Sequence, residues 1–219
     1  MGDVKREKMK VWELRQTYRK SGLSEDNLPD TPYRMLTQWM EQAIQAEVTE
    51  PNAMSLATVK PDDTPDVRMV LLKEIETEGV TFYTNYHSQK AKDLDNRPHA
   101  ACCFWWQELE RQIRIRGPVE RISRELSAAY FANRPRLSQI GAWASVQSQV
   151  IGSREVLELA AADQEKRYED REVPLPDHWG GFRIHFRQVE FWQGRPGRMH
   201  DRILYRREDD HWSIQRLSP

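Results

Sequence analysis

The sequence predicts an α+β protein built around an antiparallel β-barrel or strongly curled sheet, with helices on its outside. Three observations predict it. Short runs rich in β-branched and aromatic residues, separated by turn chemistry, fill residues 53 to 122. Helical patterns take over from 123 to 172, and strand patterns return from 180 to the end. At 219 residues the chain is long enough for one substantial core.

In chain order, residues 4 to 21 read as an amphipathic helix carrying Val11, Leu14 and Tyr18, with Gly22 as its stop. A second helix follows "LPDTP": Asp30 or Thr31 caps it, Pro32 suits its first turn, and Leu36, Trp39, Met40 and Ile44 recur at helical spacing. "AMSLATVK", "PDVRMVLLKEIE" and "GVTFYTNY" form a meander joined by "PDDT" and "TEG". The short helix "SQKAKDLDNRP" leads to "HAACCFWWQ" and "RQIRIRGPVERI". "SRELSAAYFANRPRLSQIGAWAS" is a helix stopped near Pro135 and then a shorter one, and "SREVLELAAADQEKRYEDRE" is a surface helix. "GGFRIHFRQVEFWQG", "RILYRRE" and "HWSIQRL" close the chain as three strands with a "DD" turn, giving seven or eight in all.

Composition excludes several classes. Lys and Arg number 33 against 34 Asp and Glu, so no basic excess points to nucleic acid or an anionic membrane. No apolar run is long enough to span a bilayer, and the charged N-terminus lacks the apolar core of a signal peptide. Adjacent Cys102 and Cys103 make no disulfide framework, and no His/Cys/carboxylate cluster has metal-ligand spacing. A reduced, cytoplasmic, metal-free protein is the expectation.

No phosphate-cradling glycine loop and no nucleophile elbow is present, so any bound anion must be held by side chains, for which Arg is well suited. Arg68 and Lys73 in "RMVLLK" fall on opposite faces of a regular strand and serve one pocket only if a bulge or bend intervenes. Otherwise they are the charged ends of a buried strand. Tyr83 and Thr84 precede Lys90, which stands in the first turn of a helix, where an anion would relieve its conflict with the helix dipole. Tyr130 and Arg134 share a helix face at i and i+4, with Ser138 beyond Pro135: a phosphate clamp or a helix end packed on the sheet. Gln112, Gln147 and Ser148 carry little signal alone. In "EFWQGRPGRMHDRILYRRE", two strands joined by a turn, Arg198, His200 and Arg202 alternate on one face beside Trp192. A solvated edge strand would explain this, and so would a site that grips an anion, since like charges on one face repel unless something anionic joins them and Asp201 points away.

"RMVLLK", "FYTN", "LERQ", "NRPRLSQIGAWAS", "PLPDHWGGFR", "EFWQG", the "R.HDR..Y.R" pattern and the closing "W.I.RL.P" occur in the order that marks the pyridoxine/pyridoxamine 5′-phosphate oxidases, a family this chain resembles from residue 12 to 219. The resemblance implies an FMN-binding split β-barrel over 49–219, whose C-terminal part serves dimerisation and substrate binding. A helical segment over 1–48 would include an active-site lid. It implies a homodimer with shared active sites that oxidises pyridoxine or pyridoxamine 5′-phosphate to pyridoxal 5′-phosphate. Hydride would pass from C4′ to flavin N5, with O2 reoxidising the flavin to give hydrogen peroxide. By matched motif, FMN would be held by Arg68, Met69, Val70, Leu71, Leu72, Lys73, Tyr83, Thr84, Gln89, Lys90, Gln112, Gln147, Ser148, Trp192 and Arg202. Substrate would be held by Lys73, Tyr130, Arg134 and Ser138 at its phosphate, by Arg198, Met199 and His200 at its ring, and by Arg15 and Tyr18 from the lid. Arg198 and His200 would be catalytic. Gln89 stands where the family usually has arginine, which implies weaker FMN retention. Three other readings remain at this point: a different split-barrel flavin reductase, a non-catalytic pyridoxal 5′-phosphate carrier, and a nucleic-acid-binding barrel, the last opposed by the near-zero net charge.

Overall fold

The computed structural model describes Tyr18 and residues 22–219; the helix expected over 4–21, apart from Tyr18, and the lid residue Arg15 lie outside the described residues. Helix α1 (Pro32–Gln45) precedes strands β1 (Ala53–Val59), β2 (Pro65–Glu76) and β3 (Gly79–Asn85). Helix α2 (Gln89–Asn96), strands β4 (His99–Trp106) and β5 (Arg111–Arg121), and helices α3 (Arg124–Ala132), α4 (Arg136–Ala144) and α5 (Arg154–Arg167) follow. The chain ends in β6 (Trp179–His185), β7 (Gln188–Gln193), β8 (Asp201–Glu208) and β9 (His211–Arg216).

All strand pairs are antiparallel, and the β4–β5 pairing closes β4-β1-β2-β3-β6-β5 into a ring. This is the split barrel: β5 gives residues 119–121 to β6 and residues 111–116 to β7, so one strand edge serves two partners end to end. Strands β8 and β9 extend the β7 side as a wing. The run from 180 to 194, expected as one strand, breaks at Phe186 and Arg187, which bond to Glu78 and Arg116 carbonyls. The chain crosses there over Gly117, where any Cβ would collide with the His185 carbonyl oxygen. Nine strands form instead of seven or eight.

Alternation builds the interior: Met54, Leu56, Phe82, Phe104, Ile113, Ile115 and Ile184 are fully buried and belong to one cluster. Helix α1, capped by the Thr31 hydroxyl accepting from the Arg34 N–H, adds Leu36, Trp39 and Met40 to it. Ile44, read from spacing as part of that face, is exposed, and Ala43 takes the inner position. A second, smaller cluster lies outside the barrel, where Phe131, Ile140, Ala142, Tyr168 and Trp179 seat α3, α4 and the end of α5 against β3 and β6. Helix α5 buries no residue, as its polarity predicted. Among the described residues no helix is long and apolar enough to cross a membrane.

Candidate active site

Between the outer face of β2 and β3, the start of α2 and the α3–α4 junction lies a cavity of about 610 Å³. Small-molecule sites commonly fall in this size range. Lys73, Lys90 and Arg134 line it, together with Tyr83, Thr84, Tyr130, Ser138, Gln147 and Trp179, and its described lining contains no carboxylate.

Each cation arrives by a local device. β2 pairs Leu72 with Phe82 but Glu74 with Thr81, so Lys73 is the extra residue of a β-bulge. The bulge aims Lys73 at the cavity with Met69, Val70 and Leu71, while buried Leu72 stays in the core. Arg68 remains on the opposite face, bonded to Asp66, the Thr58 hydroxyl and the Leu56 carbonyl, with buried Asp93 at 3.7 Å. The bulge therefore brings one member of the pair to the cavity and leaves the other out. Lys90 stands in the first turn of α2 and donates to Thr84 Oγ1 at 3.3 Å and Gln147 Oε1 at 3.1 Å. Burial, and then Arg68, pull its pKa down. Ser148, held at a left-handed φ of 71°, accepts from the Gln89 N–H. The Gln89 side chain turns back to Asp93 at 2.7 Å and is not part of the cavity lining.

Arg134 lies beyond the end of α3, which stops at Ala132, so it and Tyr130 meet across a turn and not along one helix face. Pro135 then starts α4, which carries Ser138 to the same wall. The Arg134 guanidinium sits 4.5 Å from the Trp179 ring, and its Nη1 is buried with no hydrogen-bond partner among the described residues. Burial lowers its pKa. A partly buried guanidinium with an unpartnered Nη1, in one cavity with two lysines, is suited to an anion. Tyr83, Tyr130 and Trp179 stack nearly parallel along one side, with Tyr83 and Tyr130 centroids 4.0 Å apart. Burial and the Tyr83 hydroxyl's bond to Glu74 raise the Tyr83 pKa.

The remaining expected residues form a second group on the β4-β5-β7-β8 surface. Gln112 pairs across strands with Trp105 and Trp192, and Trp192 pairs with Arg202. None of Gln112, Trp192, Arg198, Met199, His200 and Arg202 lines the cavity, so within one chain the two groups stay separate. The alternation expected through Arg198, His200 and Arg202 is corrected here. β8 begins only at Asp201, and Pro196–Arg198 form a 3-10 turn with Arg198 at φ 64°. Proline and Gly197 set this turn, which the period-2 reading overlooked. Arg202 is paired with Glu190 of β7, at 2.9 Å. Arg114 also bonds Glu190. His200 sits 4.5 Å from Trp192 and 5.6 Å from Tyr18, ring to ring. Its Nδ1 accepts from the Arg195 N–H at 3.1 Å, which leaves the neutral ring's proton on Nε2. Burial and Arg198 lower its pKa. Sequence reasoning missed Trp179, Glu190 and Trp105; the last two lie inside blocks that were read as strand, and Trp179 stands one residue before such a block.

Fold and cavity together define a split-barrel protein with a preformed, cationic, aromatic-walled site suited to an anionic small molecule. A family model described as pyridoxamine 5′-phosphate oxidase matches residues 40–167, and one described as the pyridoxine 5′-phosphate oxidase C-terminal dimerisation region matches 179–219. A pyridoxine/pyridoxamine 5′-phosphate oxidase of Acaryochloris marina is 51% identical over 95% of both chains. One of Rubrobacter xylanophilus is 50% identical over 94% of this chain and 95% of that protein. Among solved structures, PhzG of Burkholderia lata, in complex with tetrahydrophenazine-1-carboxylic acid, superposes with a TM-score of 0.87 at 27% identity, covering 93% of this chain and all of that one. An FMN-binding protein of Nostoc punctiforme, at 18% identity and a TM-score of 0.70, shares the fold. The chain belongs to the pyridoxine/pyridoxamine 5′-phosphate oxidase family and is an oxidase.

Proposed function

We propose that the chain is an FMN-dependent oxidase that converts pyridoxine 5′-phosphate or pyridoxamine 5′-phosphate to pyridoxal 5′-phosphate, as a homodimer whose active sites are shared. The observation that carries this reading is the cavity with three cations, no described carboxylate and the unpartnered Arg134 Nη1. The cavity residues fit FMN: Met69 to Leu71 and Thr84 would border it, and Lys90 with Gln147 and Ser148 would meet its phosphate near the start of α2. When bound, FMN supplies the two-electron acceptor that takes hydride from C4′ and is reoxidised by O2 to give hydrogen peroxide.

The protein's own task is grip and orientation. Lys73, Arg134, Tyr130 and Ser138 would hold the substrate phosphate, and this remote grip sets the register of the reacting carbon. His200, with its proton on Nε2, would offer a hydrogen-bond donor to the ring or its substituent, and Arg198 would stabilise charge developing beside C4′. Sharing of sites is supported by the separation of the two residue groups and by the exposed apolar stripe Val67, Met69 and Leu71 on β2 beside the cavity. The matched dimerisation region supports the same arrangement.

The test is aerobic turnover of the FMN-loaded protein. Pyridoxine 5′-phosphate should yield aldehyde and hydrogen peroxide in equal amounts, and pyridoxamine 5′-phosphate should also release ammonia. Tight binding of the aldehyde without either product would indicate a carrier.

A further inference from the structure

We propose that Glu25, Asp201 and Arg216 form an ionic clamp that positions Tyr18 against His200 and Trp192, which makes Arg216 a positioning residue for the ring-facing wall of the site. This rests on the reading above, in which Tyr18 and His200 face the substrate.

Arg216 ends β9, the outermost strand of the wing, and is spent on residues 23–25 and on Asp201 of β8. Its Nε and Nη2 donate to the two Glu25 carboxylate oxygens at 2.5 and 2.7 Å. Its Nη2 also donates to the Leu23 carbonyl at 2.9 Å, and its Nη1 donates to Asp201 Oδ1 at 2.6 Å. The other Asp201 oxygen accepts from the Leu23 N–H at 3.0 Å and lies 3.8 Å from Arg195 Nε. One carboxylate thus joins residue 23, the 195–200 turn and β9. The Arg195 N–H is the donor to His200 Nδ1, so the network also reaches the histidine ring.

Two glycines fit the clamp closely. A Cβ on Gly22 would stand 2.7 Å from Asp201 Oδ2 and collide with the Arg195 guanidinium. A Cβ on Gly194 would stand 2.7 Å from Tyr18 Cγ. Tyr18 is therefore seated on the Gly194 backbone, edge-on to Trp192 and His200 with both centroids at 5.6 Å. Its chain is fastened a few residues later.

Glu25 and Arg216 are 55% and 38% exposed, so the clamp adds little to global stability. What it supplies is position. Arg216's hydrogen bonds hold the Glu25 carboxyl near a pKa of about 2, so the pair stays ionised across the neutral range and loosens only as pH falls through that value. The charged and titratable groups facing the pair are Asp201, which accepts from Arg216, Arg195 beside Asp201, and His200, whose ring accepts from the Arg195 N–H. The clamp should therefore respond to salt and not to mild changes of pH.

The experiment uses FMN-loaded protein carrying 3-fluorotyrosine, with the Tyr18 resonance assigned through Tyr18→Phe. In Glu25→Ala and Arg216→Lys that resonance should move toward free fluorotyrosine, and in Glu25→Gln it should move less. The KM for pyridoxine 5′-phosphate should rise about fivefold, a typical loss for an exposed ion-pair network, with kcat within about twofold. Added sodium chloride should raise the wild-type KM and leave that of Glu25→Ala unchanged. A Tyr18 resonance that stays in place in folded Glu25→Ala overturns the clamp; Glu25 is exposed, so this variant folds even where Arg216→Lys does not. If the resonance moves and KM does not, the clamp stands and Tyr18 does not face the substrate.

Discussion

Replacing Arg134 by Met should weaken substrate binding and, at the same time, leave the ligand-free protein at least as stable. Its Nη1 is buried without a partner, which costs about 1–3 kcal/mol for a desolvated polar group. The residue as a whole is only partly buried, so the lower end of that range applies. The guanidinium recovers about 0.5–1 kcal/mol from the Trp179 face at 4.5 Å. Met keeps most of the packing volume, so the net effect is between about zero and 1 kcal/mol in favour of the variant, or up to roughly 4 °C in Tm. The phosphate, by contrast, loses a charge-assisted donor worth about 1.5–3 kcal/mol, so KM should rise roughly 10–150-fold. Differential scanning fluorimetry with and without pyridoxine 5′-phosphate reads both effects, because ligand stabilises wild type by mass action and the variant much less. A variant destabilised by more than about 1 kcal/mol with an unchanged ligand shift would refute the reasoning, since Arg134 would then be structural.

Four further predictions follow from other parts of the site. Gln89→Arg should tighten FMN binding by up to about 3 kcal/mol, the upper value for a hydrogen bond to a charged group, and Gln89→Ala should change it little because Gln89 is spent on Asp93; flavin fluorescence quenching measures both. The depressed His200 pKa means that the unfolded chain binds this proton first on acidification. The stabilisation is complete above the ordinary 6.5 and is lost as pH falls through the lower folded value, so an NMR titration of the ring should show a midpoint below 6.5. Gly117→Ala places a Cβ against the His185 backbone at the barrel's crossing point and should cost about 3 kcal/mol or more in urea denaturation. Glu190→Gln removes the charge that neutralises Arg202 and Arg114, and should lower stability by about 3 kcal/mol, which the same denaturation would record.

The barrel was legible because its strands alternate cleanly: Met54, Leu56 and Thr58 point inward along β1 just as the period-2 pattern requires. The α3–α4 break was legible because Pro135 cannot continue a helix. The crossing at Phe186–Arg187 was not, since an apolar run gives no sign of which of two strand segments its halves will pair with; the only local mark was Gly117, sixty-nine residues earlier in the chain. The site was half legible. Spacing stated the condition under which Lys73 could reach a pocket, and the bulge met it for Lys73 without moving Arg68. The turn at 196–198 was misread because Arg198 and His200 fit a strand period by coincidence, while Pro196 and Gly197 set the backbone. Glu190 as the counter-charge of Arg202 depends on cross-strand register, which no single strand's sequence contains.

The central claim is that substrate held in this cavity reduces a flavin bound beside it, and an anaerobic visible spectrum tests it most directly. Adding pyridoxine 5′-phosphate to FMN-loaded protein should bleach the flavin band, and air should restore it. A flavin band that stays unchanged, with substrate binding verified in the same sample, would contradict the account.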